Sequence, residues 1–457
     1  MDSSQVTGRA ASGARRRKAS TRRRPRAQPG SAAPSGGLLR HRNFRLLWFG
    51  ETVNQFGSAM ALVLVPLLAV VVLRASTFEV SLLTAAGYLP WLVIGLPAGA
   101  WVDRLPARRV MIMCDLVSAV VYLSIPCAAW LGVLRLAQLT AVVLLGGATN
   151  VMFLTAYQVN LASLVETDQL TEGNAKLQGS ASAAAFGGPS LAGVAARSLG
   201  AATALLINVG SFLVSAVCLW RITTERAPAP PEARPRTRLR SEISAGVRLV
   251  AEDNYLRRMT ILGGLANFAL DGYAALVVVF LVRVVRISEA DVGLLMAVPG
   301  LGGVLGAVIA RRAAGRFGSS RVLLLSALGL VPFVLLIPLT ARGPRLALFV
   351  LGTLCAVVGI GVVNVIMATF RQAYSPPGML GRVSATMRVL VFGTGPLGAL
   401  TAGGLGTWLG VRPALWIMLS LAAASGTCLL SRDFLGRRDL PAEREMPGRP
   451  AATAPAG

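Results

Sequence analysis

Twelve apolar stretches, each about as long as a bilayer is thick, follow one another along this chain. The hydrocarbon core of a bilayer is about 30 Å thick and an α-helix rises about 1.5 Å per residue, so roughly 20 apolar residues span it. The predicted spans are 46–73, 80–102, 110–131, 136–163, 174–197, 200–220, 259–283, 291–310, 322–341, 345–371, 384–409 and 412–431. A hydrophobic content of 54% and a charged content of 14% agree with this pattern. The chain is therefore predicted to be a polytopic membrane protein.

The basic residues are distributed unevenly between the two sides of the predicted membrane. If both termini share one side, 37 of the 45 lysines and arginines lie on that side and 8 on the other. Because cytoplasmic loops are enriched in Lys and Arg, both termini and the central loop are predicted to be cytoplasmic. The net charge of +25 then belongs to loops and tails near anionic lipid, and no nucleic-acid partner is predicted. A transit peptide is the alternative for the arginine-rich segment 15–26.

A stretch rich in proline and arginine divides the predicted spans into six and six. The predicted organisation is a disordered basic tail (1–43), a six-helix bundle (44–220), a linker with a short surface helix (221–257), a second six-helix bundle (258–431) and a disordered tail (432–457). One offset of 207 residues maps Gly99, Arg104, Arg109, Gly188 and Pro189 onto Gly306, Arg311, Arg316, Gly395 and Pro396. Repeats of this kind build transporters with a site between their halves. The predicted fold is all-α, with twelve transmembrane helices in two pseudo-symmetric bundles.

A charged glycine motif follows the second predicted span, from Gly99 to Arg109. Glycine lets two helices approach closely, and Asp103 together with Arg104 and Arg109 can form ion pairs across the bundle interface when the cytosolic side is shut. Asp115 is predicted to brace the same arginine-rich loop. Ordinary cytoplasmic arginines are the alternative explanation, and the second copy lacks the acid. The predicted cytosolic gate comprises Gly99, Asp103, Arg104, Arg108, Arg109, Asp115, Arg311 and Arg316.

Glycine next to proline occurs in the fifth predicted span and again in the eleventh. Proline removes a helix hydrogen bond and glycine lets the backbone bend, so the pair produces a kink or a tight contact between helices. Plain packing of membrane helices is the alternative. The predicted helix-kink motif comprises Gly188, Pro189, Gly193, Gly395 and Pro396.

These motifs resemble those of a known family of permeases. The segment 99–109 resembles the GxxxDRxGRR loop of the major facilitator superfamily, and 187–193 resembles the GPxxGG signature of its exporters. The segment 44–50 is similar to the enterobactin-exporter-like branch of that family. The resemblance implies the major facilitator fold, transport by alternating access, and export of a drug, siderophore or secondary metabolite.

Few polar side chains lie inside the predicted spans, and each needs a partner or a task. Glu51, Asn54 and Gln55 form one stripe on the first span, and Asn267 and Asp271 lie one turn apart on the seventh. Glu51 and Asp271 are therefore candidates for reversible protonation in a shared central cavity. Pairing of Glu51 with an arginine is the alternative. The predicted cavity residues are Glu51, Asn54, Gln55, Asn150, Tyr157, Asn267, Asp271, Asn364 and Arg388.

Several function classes lack the residues that they need. Lysine occurs only at Lys18 and Lys176, neither of which lies in a phosphate-binding loop, so an ATP-driven pump is not predicted. His41 is the single histidine. No metal, no cofactor and no enzymatic activity are predicted, because the spans hold no cluster of hydrolytic or metal-binding residues.

The predicted function is secondary active transport across the cell membrane. The chain is expected to export a small amphiphilic molecule, to use protons as the coupling ion, and to work as a monomer in the lipid bilayer. Uptake or lipid translocation by the same fold is one alternative, and a membrane receptor without transport activity is another.

Overall fold

Twelve long helical segments make up most of the computed structural model, which describes residues 38–102, 105–165, 169–223, 247–375 and 379–441. In chain order they are α1 (Arg42–Val71), α2 (Thr77–Val102), α3 (Ala107–Trp130), α4 (Leu136–Leu164), α5 (Leu170–Leu199), α6 (Ala201–Arg221), α7 (Asn254–Val279), α8 (Glu289–Phe317), α9 (Ser319–Leu325), α10 (Leu346–Tyr374), α11 (Leu380–Phe392 and Gly395–Trp408) and α12 (Val411–Ser425). Turns of π or 3-10 type extend α7 to Val285, α9 to Leu339 and α12 to Leu429. The described residues contain no β-strand.

Eleven helical segments of the described chain are long and apolar enough to cross a membrane. The segment that does not reach this hydropathy is α5, which has 30 residues. It carries Glu172 and Lys176 and is rich in Gly, Ser and Ala. Small residues let helices pack closely inside a membrane protein, and α5 packs against α1, α6 and α8. The low hydropathy of α5 is therefore explained by its contacts with other helices.

The helix contacts repeat between the two halves of the chain. In the first half α1 packs against α5 and α6, α2 against α4, and α3 against α4 and α6. In the second half α7 packs against α11 and α12, α8 against α10, and α9 against α10 and α12. Each contact recurs six helices later. The predicted all-α fold of two pseudo-symmetric six-helix bundles is confirmed.

The halves meet at one end of the molecule. We call it the far end; it carries the turns 72–76, 131–135, 286–288 and 340–345, whereas the terminal end carries residues 38–41 and 430–441. Contacts across the halves join α5 to α8, and α2 to α7 and to the second part of α11. One hydrophobic core runs through both halves at the far end, with Leu64, Leu68, Ala192, Leu276, Phe280, Val292 and Leu415 among its members.

At the terminal end the core is divided in two. The first half has its own cluster there, which includes Phe44, Met111, Phe153 and Leu219. The second half has another, which includes Leu256, Leu323, Phe370 and Phe434. A joined core at one end and separate cores at the other describe two bundles closed together at the far end.

The second copy of the charged motif differs from its predicted loop. We expected a span ending at residue 310, but α8 continues to Phe317, so Arg311 and Arg316 lie on the helix itself. In the first copy α2 ends at Val102, and Pro106 precedes α3. Proline disfavours helix at the preceding residue, whereas the second copy has Ala313 at the matching position.

We had predicted that the chain is disordered from residue 432 onward, and this prediction is wrong for residues 432–441. Residues 432–441 pack on the terminal end of the second half: Phe434 is fully buried, and Asp439 accepts a hydrogen bond from the backbone of Ser319 at 2.8 Å. Of the predicted surface helix, residues 247–252 are helical. Of the predicted disordered tail 1–43, residues 38–43 form a 3-10 turn and the start of α1. Residues 1–37, 224–246 and 442–457 lie outside the described residues.

Candidate functional site

A hydrogen bond joins the two halves beside the far-end core. The hydroxyl of Tyr88 on α2 donates to Oδ1 of Asp271 on α7 at 2.8 Å. Both side chains are partly buried, and α7 lies against α2 and α11 at this level. A second bond between the halves runs from the Arg283 guanidinium to the carbonyl of Ala75. Asp271 is thus a carboxylate placed directly between the bundles.

The glycine-proline motif of α11 makes room for this carboxylate. A Cβ on Gly395 would lie 2.5 Å from Oδ2 of Asp271, so only glycine leaves the space that the carboxylate occupies. Gly393 and Thr394 interrupt α11 immediately before the motif, and Pro396 lies in the first turn of the second part. The predicted kink is therefore a break in α11.

The matching motif of α5 leaves the helix unbroken. Pro189 lies inside the continuous helix Leu170–Leu199, and Gly188 packs on α1, where an added Cβ would come within 2.5 Å of the Ala59 Cβ. Further along α5, a Cβ on Gly193 would lie 2.9 Å from the Cα of Gly293 on α8. The two copies thus act differently, since the α5 copy produces close helix contacts, one of them across the halves.

A cavity of about 440 Å³ opens inside the second half. Asn267 and Asn364 both line it, so the structure brings these two predicted cavity residues together. Apolar side chains such as Met367 and Phe392 form much of the wall, and Arg371 adds one guanidinium. Largely apolar pockets of this size with a few polar groups are typical of small-molecule sites.

The prediction that Glu51 shares a chamber with Asp271 is corrected by the structure. Glu51 and Asn54 are 7% exposed and lie within the first half, and the Gln55 amide donates to Glu51 Oε1 at 2.7 Å. Among the described residues Glu51 has no ion pair with an arginine. Packing of α1 against α5 and α6 buries this part of the polar stripe.

Asp115 is also placed differently from its prediction. It is 1% exposed, and its Oδ1 accepts a hydrogen bond from the Asn54 amide at 3.4 Å. It therefore belongs with Glu51 in a buried polar cluster, whereas we had grouped it with the arginine-rich loop. Helical periodicity explains the error, because Asp115 lies on the face of α3 that packs against α6, where it also reaches Asn54 of α1.

The remaining gate residues lie at the terminal end. Arg108 donates to the carbonyls of Leu219 at 2.7 Å and of Trp220, so it caps the end of α6. Arg109, Arg311 and Arg316 are exposed. Asp103 and Arg104 lie outside the described residues, and of Gly99 only its place in α2 is described.

Three further predicted cavity residues are not assembled into one site. Asn150 is exposed on α4, and Tyr157 is partly buried and stacks on Phe153 with ring centroids 6.5 Å apart. Arg388 lies in the first part of α11, and its side chain is outside the description.

Sequence reasoning missed two residues of the site. Tyr88 was passed over because an isolated tyrosine in a span is unremarkable without its partner, although Gly87 and Pro90 beside it marked an unusual stretch. Arg371 was counted only as a basic residue at the end of a span. Its place in the cavity wall follows from α10 continuing to Tyr374.

This architecture, with two repeated bundles, a pocket and a polar contact between the halves, is that of a secondary transporter. A family model described as Major Facilitator Superfamily matches residues 47–395 and 260–456. The chain belongs to the major facilitator superfamily. It is a multi-pass transporter of the cell membrane for a small molecule, and not an enzyme.

Relatives of the chain fall in the drug-efflux branch of the family. It is 28% identical over 385 residues to the multidrug efflux pump Tap of Mycolicibacterium fortuitum, covering 82% of this chain and 92% of that protein. It is 26% identical to the enterobactin exporter EntS of Escherichia coli O1:K1 / APEC, covering 86% and 90%. The fold matches a crystal structure of the nucleoside transporter NupG with a TM-score of 0.66, 12% identity and coverage of 85% and 98%.

Proposed function

We propose that this protein exports a small amphiphilic molecule in exchange for protons. The proposal rests chiefly on one observation: the halves share a core at the far end and have separate cores at the terminal end. If the termini are cytoplasmic, as the arginine distribution predicts, this conformation is open to the cytoplasm. An exporter collects its substrate from that side.

The cavity in the second half supports the choice of substrate class. Its volume of about 440 Å³ suits a molecule of drug size. Apolar walls favour an apolar body, while the amides of Asn267 and Asn364 can bind polar groups at its edge. Tap and EntS, both named as exporters, support the direction.

We assign the coupling proton to Asp271. Of the two carboxylates predicted to bind protons, it is the one between the halves, one turn from Asn267. A hydrogen bond to an ionised carboxylate is stronger than one to a neutral acid, so ionised Asp271 holds Tyr88 and keeps the far end closed. Protonation weakens this bond, so a proton that binds Asp271 from outside while the far end is open is released to the cytoplasm when the far end closes and the bond to Tyr88 forms again.

The transport test uses inside-out vesicles, in which export appears as accumulation of a fluorescent amphiphilic cation. We expect accumulation to require a higher proton concentration inside the vesicles than outside, and to stop when an uncoupler removes this gradient. Asp271→Asn should abolish accumulation while dye binding persists. Glu79→Gln, which changes a partly exposed carboxylate in the first turn of α2, is the matched control and should transport normally.

Two results would contradict the proposal. Accumulation only in right-side-out vesicles would establish uptake, and movement of labelled phospholipid without movement of dye would establish lipid translocation.

The oligomeric state is tested separately. If the protein works as a monomer, a single copy per lipid nanodisc should bind dye and change conformation.

A further inference from the structure

The terminal end of the second half carries a cavity that the transport mechanism above does not use. It has a volume of about 390 Å³ and lies between α8, α10 and residues 432–441, which we call the C-terminal segment. Its wall is largely apolar and includes Ala310, Phe370 and Leu440. Among the described residues of this wall, Arg311 is the one charged side chain, and it is exposed. The cavity is therefore an apolar pocket with a guanidinium at its edge.

Further arginines surround Arg311. Residues 311–321 include four arginines and no acidic residue. From the C-terminal segment, the guanidinium of Arg438 donates to the carbonyl of Arg316 at 3.3 Å. Arg316 follows Arg311 by about 7.5 Å along the axis of α8, so arginine side chains reach this place from both the helix and the C-terminal segment. The edge of the cavity is therefore strongly positive.

The acidic side chains of the protein do not neutralise this charge. Arg311 forms no ion pair with a carboxylate of the described chain. The nearby Asp439 accepts hydrogen bonds from the backbone N–H and the hydroxyl of Ser319, at 2.8 and 3.3 Å. Residues 442–457 follow Pro441 of the cavity wall and contain two glutamates and two arginines, so they bring no excess of acidic side chains. A counter-charge is therefore expected from another molecule.

The arginines of α8 lie at the level of the lipid headgroups. This helix has 29 residues and is about 43 Å long, close to the thickness of a bilayer with its headgroups, roughly 40–45 Å. Because α8 begins at the far end, its last turns reach the headgroups at the terminal end. There the ring of Phe317 is 51% exposed and lies 5.6 Å from the guanidinium of Arg316. Such a pair can face hydrocarbon with the ring and the headgroups with the charge.

We propose that this cavity binds the headgroup of an anionic phospholipid. Arginine binds phosphate through parallel hydrogen bonds, and basic pockets between helices at the cytoplasmic surface suit such headgroups. The phosphate contacts Arg311, and the apolar wall receives the glycerol end of the acyl chains. Both termini are predicted to be cytoplasmic, and the cytoplasmic leaflet has a negative surface potential.

The site belongs to the second half because the two copies of the charged motif are built differently. In the second copy α8 continues through the motif to Phe317, so its arginines line up beside α10 and the C-terminal segment. In the first copy α2 ends at Val102, and Arg108 donates to the carbonyl of Leu219. A headgroup bound between α8 and the C-terminal segment is expected to stabilise the second half. This inference is independent of the proposed transport function.

The test measures lipid binding to the purified full chain in detergent. The probes are phosphatidylglycerol and phosphatidylcholine with identical acyl chains, and native mass spectrometry counts the lipids that stay bound. We expect one tightly bound phosphatidylglycerol per chain and a saturable rise in the unfolding temperature that phosphatidylcholine does not produce. Inorganic phosphate shows whether a free anion is sufficient. A rise with inorganic phosphate equal to that with phosphatidylglycerol would overturn the assignment to a lipid.

Variants decide whether the lipid binds at this cavity. Arg311→Gln removes a charged hydrogen-bond donor and should weaken binding of phosphatidylglycerol by about tenfold or more. Ala314→Phe fills the pocket without a change of charge and should also weaken binding. Arg45→Gln, which removes an exposed arginine from the first turn of α1 in the other half, is the matched control and should bind like the parent.

Three results would overturn the inference. Arg311→Gln may not bind phosphatidylglycerol as tightly as the parent does, and it may not lose the same amount as Arg45→Gln. Deletion of residues 442–457 tests the chain's own tail as the occupant. If the deletion lowers the unfolding temperature without lipid, and lipid has no effect on the parent, the tail fills the cavity and the inference is wrong. Because transport is not measured, failure of the proposed export leaves this result untouched.

Discussion

The two halves of this transporter share one helix arrangement and differ in their polar chemistry. In the first half, carboxylates lie inside the bundle, surrounded by amides and hydroxyls. In the second half, the one carboxylate of the site lies at the surface that meets the other half, beside an open cavity. Duplication therefore preserved the packing surfaces, whereas the buried polar side chains diverged. In the proposed function, the second half provides both the pocket and the proton site.

The largest expected difference between the halves concerns the two copies of the charged motif. Ala313→Pro places proline inside α8, where it removes a helix hydrogen bond, and should destabilise the protein by about 3 kcal/mol or more. Pro106→Ala, the reciprocal change in the first copy, should cost far less because the chain there is already outside a helix. Thermal unfolding of both variants in detergent measures this difference. Equal losses of stability would show that the copies are interchangeable.

The second prediction concerns the bond across the halves. Tyr88→Phe removes only the hydroxyl that reaches Asp271. Loss of a hydrogen bond to a charged group is worth about 1.5–3 kcal/mol, so the far end should open more often. Accessibility of a cysteine placed at the far end reports this opening. If the accessibility is unchanged at alkaline pH, where Asp271 is ionised, the bond between Tyr88 and Asp271 does not hold the far end closed.

The third prediction concerns the close contact between α5 and α8, which joins the two halves. Gly293→Ala places a Cβ 2.5 Å from the carbonyl oxygen of Pro189, and overpacking of this kind costs about 1–3 kcal/mol. The far end should close less tightly and transport should slow. Gly303→Ala, on the same helix with open space around it, is the control and should transport normally. If both variants behave alike, the close approach of α5 and α8 is not required for closure.

The smallest expected effect belongs to the predicted ion pair of Asp103 in the first copy of the charged motif. Ion pairs at an exposed surface contribute about 0–1 kcal/mol, so Asp103→Asn should slow the transport cycle only a few-fold. Arg311→Gln, in the copy that has no acid, should have no effect of this kind. Initial rates of dye accumulation distinguish the two variants. A wild-type rate for Asp103→Asn would rule out Asp103 as part of the cytosolic gate.

The fold could be predicted from the sequence because its signals are local. Hydropathy located all twelve helices, and the repeated glycines and arginines indicated the duplication. The exact extent of a helix depended on single residues: Ala313 lets α8 continue, whereas Pro106 ends the helical stretch of the first copy. Hydropathy alone also gives a weak membrane-span signal for α5, because its small residues serve contacts with other helices.

The site could be predicted only in part, because it depends on which way each helix is turned. Periodicity placed Asn267 and Asn364 on inward faces, and both line the cavity. It could not tell a face turned toward the other half from one turned toward the same half, and so Glu51 was grouped with Asp271. Tyr88 is the clearest omission, since its role exists only through a partner 183 positions away.

The central claim is that the halves close at one end while they separate at the other, under control of Asp271. It is tested most directly by electron paramagnetic resonance distances in a variant with its native cysteines replaced. One label pair, at Leu105 and Phe317, reports the terminal end, and another, at Leu131 and Leu409, reports the far end; all four side chains are exposed.

On acidification we expect the far-end distance to lengthen and the terminal-end distance to shorten, because protonation of Asp271 weakens its bond to Tyr88. Asp271→Asn should show the acid distribution at every pH. Distances that stay constant, or that lengthen together at both ends, would contradict alternating access controlled by this carboxylate.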